Sequence, residues 1–209
     1  MTRAAAEAVI KALLSEKDYL NGLDEKLGDG DHGSNMASGA LAAKEALDEA
    51  GDEADLKKIL QAAGDAVIMN VGGTAGPLYG AAFLAAAEVV NKKSALDAVT
   101  LEKIFGAAVE EIQKRGNSQL GDKTMLDVLI PIREAFNAEN CAGKSFEEIL
   151  TAARDAARDG LEFTKTIAAK KGRAASLGEK SIGFEDPGAA SALIIFRALC
   201  GYWKDSLRN

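Results

Sequence analysis

Helix-favouring segments and short loops alternate along this chain, and every second loop is built on glycine. Alanine, leucine, glutamate and lysine dominate the segments, β-branched clusters are scarce, and only three prolines occur in 209 residues. Such a pattern predicts an all-α protein. Eight helices are expected: 3–19, 34–48, 54–70, 77–90, 100–115, 122–138, 145–169, and one from 186 onward. The expected caps are Thr100, Asp122, the capping box of Ser145 with Glu148, and Asp186 followed by Pro187. Pro77 fits the first turn of the fourth helix.

Helices joined by short loops pack antiparallel to their neighbours in sequence, so successive loops fall at opposite ends of the bundle. The glycine-rich loops join helices one and two, three and four, five and six, and seven and eight. They share one parity and therefore one end. The other turns, at 48–53, 91–99 and 138–144, are plain and polar. A single site is expected at the glycine-rich end, because loops on a rigid scaffold carry function.

The first of these loops carries chemistry. Asp24, Asp29 and Asp31 fall within eight residues, interrupted by Gly28 and Gly30 and followed by Gly33, so no regular helix is expected through Asp29 and Asp31. Three ionised carboxylates folded onto one point repel unless a cation sits among them. Hard oxygen ligands suit Mg²⁺ or Ca²⁺. The alternative is an acidic, glycine-rich turn exposed to water. Each loop also delivers a helix N-terminus, whose free N–H groups and dipole favour phosphate. Three carboxylates and a diphosphate of about −3 leave about −4 with one Mg²⁺ and about −2 with two, which favours two ions. Arg173, in the last loop, offers further positive charge, or is a basic helix end in solvent.

A net charge of −7 argues against a nucleic-acid partner. No run of eighteen apolar residues occurs, so no membrane span is expected, and the N-terminus does not read as a signal peptide. Cys141 and Cys200 are too few for a disulfide framework, which points to a reduced, cytoplasmic setting with both as packing residues. The stretch Gly116 to Thr124 nearly matches a phosphate-binding P-loop, but Asp122 breaks the pattern and helix rather than strand precedes it. Lys123 is then expected at the surface of a first helical turn. His32, the only histidine, is expected in the site, and the residues of helix eight from Leu193 to Trp203 in the core.

Together the stretches 28–33, 72–80, 121–125 and 171–183, followed by Asp186-Pro187-Gly188, resemble the nucleotide-binding L subunit of dihydroxyacetone kinase. The likeness spans nearly the whole chain, taken as one domain, 1–209. It implies an eight-helix antiparallel bundle closed into an α-barrel, with ADP or ATP and two Mg²⁺ ions at one end. By that resemblance Asp24, Asp29 and Asp31 hold the metal. His32, Gly33, Ser34 and Asn35, with Thr74 and Ala75, contact the phosphates. Gly116 and Met125 border the adenine or ribose, and Arg173 with Asp186, Pro187 and Gly188 closes over the nucleotide. Many relatives carry Ser where this chain has Ala75, and Ala174-Ala175-Ser176 departs from the commoner Ala-Ser-Tyr.

The resemblance further implies half of a kinase. A K subunit carries dihydroxyacetone on a histidine, and a phosphohistidine M subunit of the phosphotransferase system recharges the bound ADP. Alternatives are an L module that exchanges free ATP and acts on a triose or related keto-sugar, and a module whose nucleotide state is sensed by a transcription regulator. A plain helical scaffold is the third. A second copy of the chain, as a homodimer, completes the expected partners, with no nucleic acid and no membrane.

Overall fold

The computed structural model describes residues 2–51, 54–94, 97–141 and 143–208. Parts of the three polar turns (Asp52, Glu53, Ala95, Leu96 and Ala142) and the side chain of Cys141 lie outside the described residues. The elements are α1 (Thr2–Ser15), α2 (Lys17–Leu27), α3 (His32–Ala50), α4 (Leu56–Asn70), α5 (Ala75–Glu88), α6 (Ala98–Gly116), α7 (Leu126–Cys141), α8 (Phe146–Thr164) and α9 (Pro187–Arg208). A 3-10 segment, Arg173–Ser181, stands between α8 and α9, and no strand occurs among the described residues.

From α3 to α9 each helix packs against the next, α9 packs on α1, and α1 packs on α3, which closes the ring. α1 and α2 follow one another almost without a break: Glu16 N–H donates to Ala12 O at 3.1 Å, and Leu20 N–H donates to Glu16 O at 3.0 Å. Counted as one stave they make eight, and the all-α architecture is as expected. Inside the ring, Phe105 of α6 stacks on Phe136 of α7 at 5.7 Å, and Phe196 of α9 meets both rings edge-on. Small residues such as Ala40, Ala43 and Ala82 face the interior elsewhere, and an apolar cavity of about 190 Å³ lies beside the aromatic cluster.

Several boundaries differ from the sequence reading. The first helix runs on past Tyr19 to Leu27, so Asp24 is a helical residue and not a loop residue. Gly22 has open space around it and is carried within α2, since a lone glycine costs only about 1 kcal/mol in a helix. α6 is capped by Asp97, which accepts from Thr100 N–H at 2.8 Å, so Thr100 is not the cap. α7 starts at Leu126 and not Asp122, because Gly121 and Lys123 both have positive φ, at 86° and 61°, which a helix cannot include. α8 ends at Thr164, five residues before the expected position, and the following segment winds into the 3-10 turn rather than an open loop. The Ser145 capping box is present, and Asp186 Oδ2 accepts from Ala189 N–H at 2.7 Å as the cap of α9.

Candidate functional site

Asp24 sits on the last turn of α2 and is only 9% exposed. Its Oδ2 accepts from the backbone N–H of Asp31 at 3.0 Å and of His32 at 3.1 Å. One helix thus satisfies donors at the start of the next, which fixes where the loop places its carboxylates. Gly28 makes this possible: a Cβ at that residue would run into Asp24 Oδ1. Asp24, Asp29 and Asp31 each present one carboxylate oxygen within 4.8 Å of the others. Arg173 pairs with Asp29 and stands 3.6 Å from Asp31 Oδ1, so positive charge is drawn to this point. Three hard carboxylate oxygens, two of them on half-exposed side chains, are a donor set that fits Mg²⁺.

Beside the carboxylates lie the starts of α3 and α5. Neither N-cap residue, Asp31 or Thr74, makes a side-chain capping bond. At α5 the first-turn N–H groups therefore keep the capacity to bind an anion, whereas at α3 those of His32 and Ser34 are already taken by Asp24 and Asn21 of α2. A cavity of about 340 Å³ opens here, lined from the 31–35, 72–75, 116–125, 171–174 and 186–188 segments. All four glycine-bearing connections meet at this mouth, as parity requires. Leu27, Leu78, Ile112 and Met125 give the cavity an apolar side.

A buried polar chain underlies the mouth. His32 Nε2 is 3.0 Å from Ser191 Oγ, which is 2.9 Å from the Tyr79 hydroxyl. Both hydroxyls reach Gly188 O, so α3, α5 and α9 are tied together at their site ends. Burial pushes the His32 imidazole below its ordinary range, against the opposing pull of Asp24 and Asp31. Asp186 is pushed up to about 7 by burial, although its bond from Ala189 N–H works the other way.

Of the residues singled out from sequence, Asp24, Asp31, His32, Asn35, Thr74, Ala75, Gly116, Met125, Arg173, Asp186, Pro187 and Gly188 line the cavity. Asp29 is in the carboxylate cluster at its edge. Gly33 and Ser34 are placed instead against α2. A Cβ at Gly33 would meet Lys17 O, and Ser34 N–H donates to Asn21 Oδ1 at 2.9 Å.

Lys123 is not the surface residue expected of it. It is 1% exposed, and its Nζ donates to Thr164 O at 2.5 Å, Phe184 O at 2.7 Å and Ile167 O at 3.3 Å. Burial lowers its pKa, with Asp186 and Asp127 opposing. The turn that carries it is held by Asp127, whose carboxylate accepts from Gly121 N–H at 2.6 Å and Thr124 N–H at 2.7 Å. Ser118 and Thr124 join the lining from the same turn. The sequence signal for this turn is the near-match to a phosphate loop, which Asp122 and the preceding helix break. Leu27, Leu78 and Ile112 carried no signal, since they sit at ordinary apolar helix positions.

The DAK2 domain model matches residues 26–201. The chain is 42% identical over 183 residues to the ADP-binding subunit DhaL of PEP-dependent dihydroxyacetone kinase 1 of Listeria innocua, covering 88% of this chain and 86% of that one. It is 37% identical over 185 residues to the corresponding DhaL subunit of Escherichia coli, covering 88% of each. The crystal structure of the dihydroxyacetone kinase from C. freundii in complex with AMP-PNP and Mg²⁺ superposes with a TM-score of 0.73 at 28% identity. That match takes in 95% of this chain and 33% of the C. freundii chain. On this likeness of sequence and helical fold, the chain belongs to the DAK2-domain family, among the DhaL-type subunits of dihydroxyacetone kinases.

Proposed function

We propose that this chain is the nucleotide-carrying subunit of a dihydroxyacetone kinase, with ADP and two Mg²⁺ ions at the glycine-rich mouth. One observation carries the reading: three carboxylates converge within 4.8 Å beside the start of α5, which lacks a side-chain cap. The ADP-binding role of its DhaL relatives and the AMP-PNP and Mg²⁺ of the C. freundii enzyme support it. In this reading Asp24, Asp29 and Asp31 hold the metal, which when bound supplies charge neutralisation between carboxylates and phosphates. The N–H groups at the start of α5, with Asn35, Thr74 and Ala75, orient the phosphates. Leu78, Ile112, Gly116 and Met125 receive the base. Arg173 is placed to neutralise charge that develops on a transferring phosphoryl group. Asp186, Pro187 and Gly188 border the nucleotide on the α9 side.

The partners are a K subunit that presents dihydroxyacetone and a phosphohistidine M subunit that restores ATP from the resident ADP. A second copy of the chain belongs to the same reading, and a transcription regulator that senses the nucleotide state belongs to the alternative one. Reconstitution with phosphoenolpyruvate, the general phosphotransferase proteins, K and M tests the donor. Turnover at substoichiometric ADP is expected, and a requirement for stoichiometric ATP would replace this reading with the exchanging type. Loss of product in Asp29→Ala separates catalysis from sensing, because a regulator alone would bind without making product.

A further inference from the structure

Lys123 has no role in that scheme, and its surroundings assign one. A lysine ammonium has three protons to donate. Those of Lys123 face three carbonyls, of Thr164, Ile167 and Phe184, so none is left for a phosphate. The three carbonyls share a property. Thr164 and Ile167 lie where the chain leaves α8, and Phe184 lies where it returns to α9. Between them runs the segment that carries Arg173 to the carboxylates. Lys123 therefore joins both ends of one excursion.

The excursion is built as a unit. Gly183 N–H donates to Lys165 O at 2.8 Å, across its neck. Asp186 N–H donates to Thr164 Oγ1 at 3.1 Å in the same place. Ser181 Oγ accepts from Ala169 N–H at 2.8 Å and donates to Gly178 O at 2.6 Å, which binds one arm to the other. Leu177 and the buried Ala169 and Ala174 pack on Leu27, at the end of the helix that carries Asp24. Lys170 adds a second tie, its Nζ donating to Gly121 O at 2.8 Å. The 116–125 turn thus grips the excursion at its base, and Lys123 is the buried part of that grip.

We propose that Lys123 is a positioning residue for this lid: its ammonium clamps both ends of the 165–185 segment and so sets how long a bound nucleotide is retained. The inference rests on the nucleotide reading of the mouth. Replacing Lys123 by methionine keeps the apolar stem and removes the clamp. In Lys123→Met the lid amides should lose hydrogen-exchange protection. Dissociation of a fluorescent ADP analogue with Mg²⁺ should speed up at least about tenfold, the scale of a lost charged hydrogen bond, with little change in association rate. Lys123→Arg, which keeps the charge and donors, should recover most of the slow dissociation. A folded Lys123→Met protein with wild-type lid exchange and wild-type dissociation overturns the proposal.

Should the methionine variant fail to fold, the wild-type protein decides. The amides of Ala169 and Gly183, on opposite arms, should exchange through one shared opening, and independent opening of the arms overturns the clamp. A wild-type chain that binds no Mg·ADP would remove the nucleotide reading, while the exchange experiment would still report on the lid.

Discussion

At the scale of single residues the site depends on Asp24. Its position on a helix, and not in a loop, is what gives the loop carboxylates a fixed point. Two backbone donors and the missing Cβ of residue 28 hold it there. Gly28→Ala should push the Asp24 carboxylate from its place while leaving the ring of helices folded. Calorimetry should then find Mg²⁺-dependent ADP binding weakened by about tenfold or more, the size expected when a ligand's supporting contacts are lost. Unchanged affinity would show that Asp24 does not help to hold the metal. Sequence alone brought Asp24, Asp29 and Asp31 together because they are close along the chain. Lys123 was misplaced because its partners are backbone carbonyls some 41, 44 and 61 residues away, and no pattern in side chains reports those.

At the scale of elements, helix ends do the work. α5 presents a start without a side-chain cap to the cavity, α3 is held at its start by Asp24 and Asn21 of α2, and α9 carries its own cap in Asp186. That cap is buried, and its pKa rises from 3.8 to about 7. A folded-state pKa above the unfolded value means the native state holds the proton more tightly. The contribution is present below about pH 4 and is lost as the pH rises through about 7. Asp186→Asn keeps an acceptor for Ala189 N–H and cannot ionise. Urea denaturation of the metal-free proteins from pH 4 to 8 should show the variant gaining stability relative to the wild type as pH increases. A pH-independent difference would contradict the assignment. Most helices were legible from apolar spacing and caps such as Ser145, but ends governed by positive φ were not. Residues 121–123 show why: Asp122 looks like a cap, and only the fold reveals that its neighbours turn the wrong way.

At the scale of the molecule, the alternation of loops along the chain was enough to predict one mouth. The ring that closes through α9, α1 and α3 makes that prediction physical, because it leaves every second connection at the same end. What the alternation could not supply was the packing inside. The Phe105, Phe136 and Phe196 cluster links the successive helices α6 and α7 to α9, which is distant in sequence, and Phe136 is fully buried. Phe136→Ala should cost about 3–5 kcal/mol of stability in denaturant unfolding, as large truncations in cores do. A loss under about 1 kcal/mol would mean the ring relaxes around the gap.

The account stands on acidic side chains gripping a cation that grips a diphosphate, and an ADP titration with and without Mg²⁺ tests that directly. The wild-type chain should bind ADP tightly in the presence of Mg²⁺, with affinity falling at least about a hundredfold in chelator, the result expected when carboxylates and phosphates face each other unscreened. Equal affinity in the two conditions, or no binding in either, would contradict it.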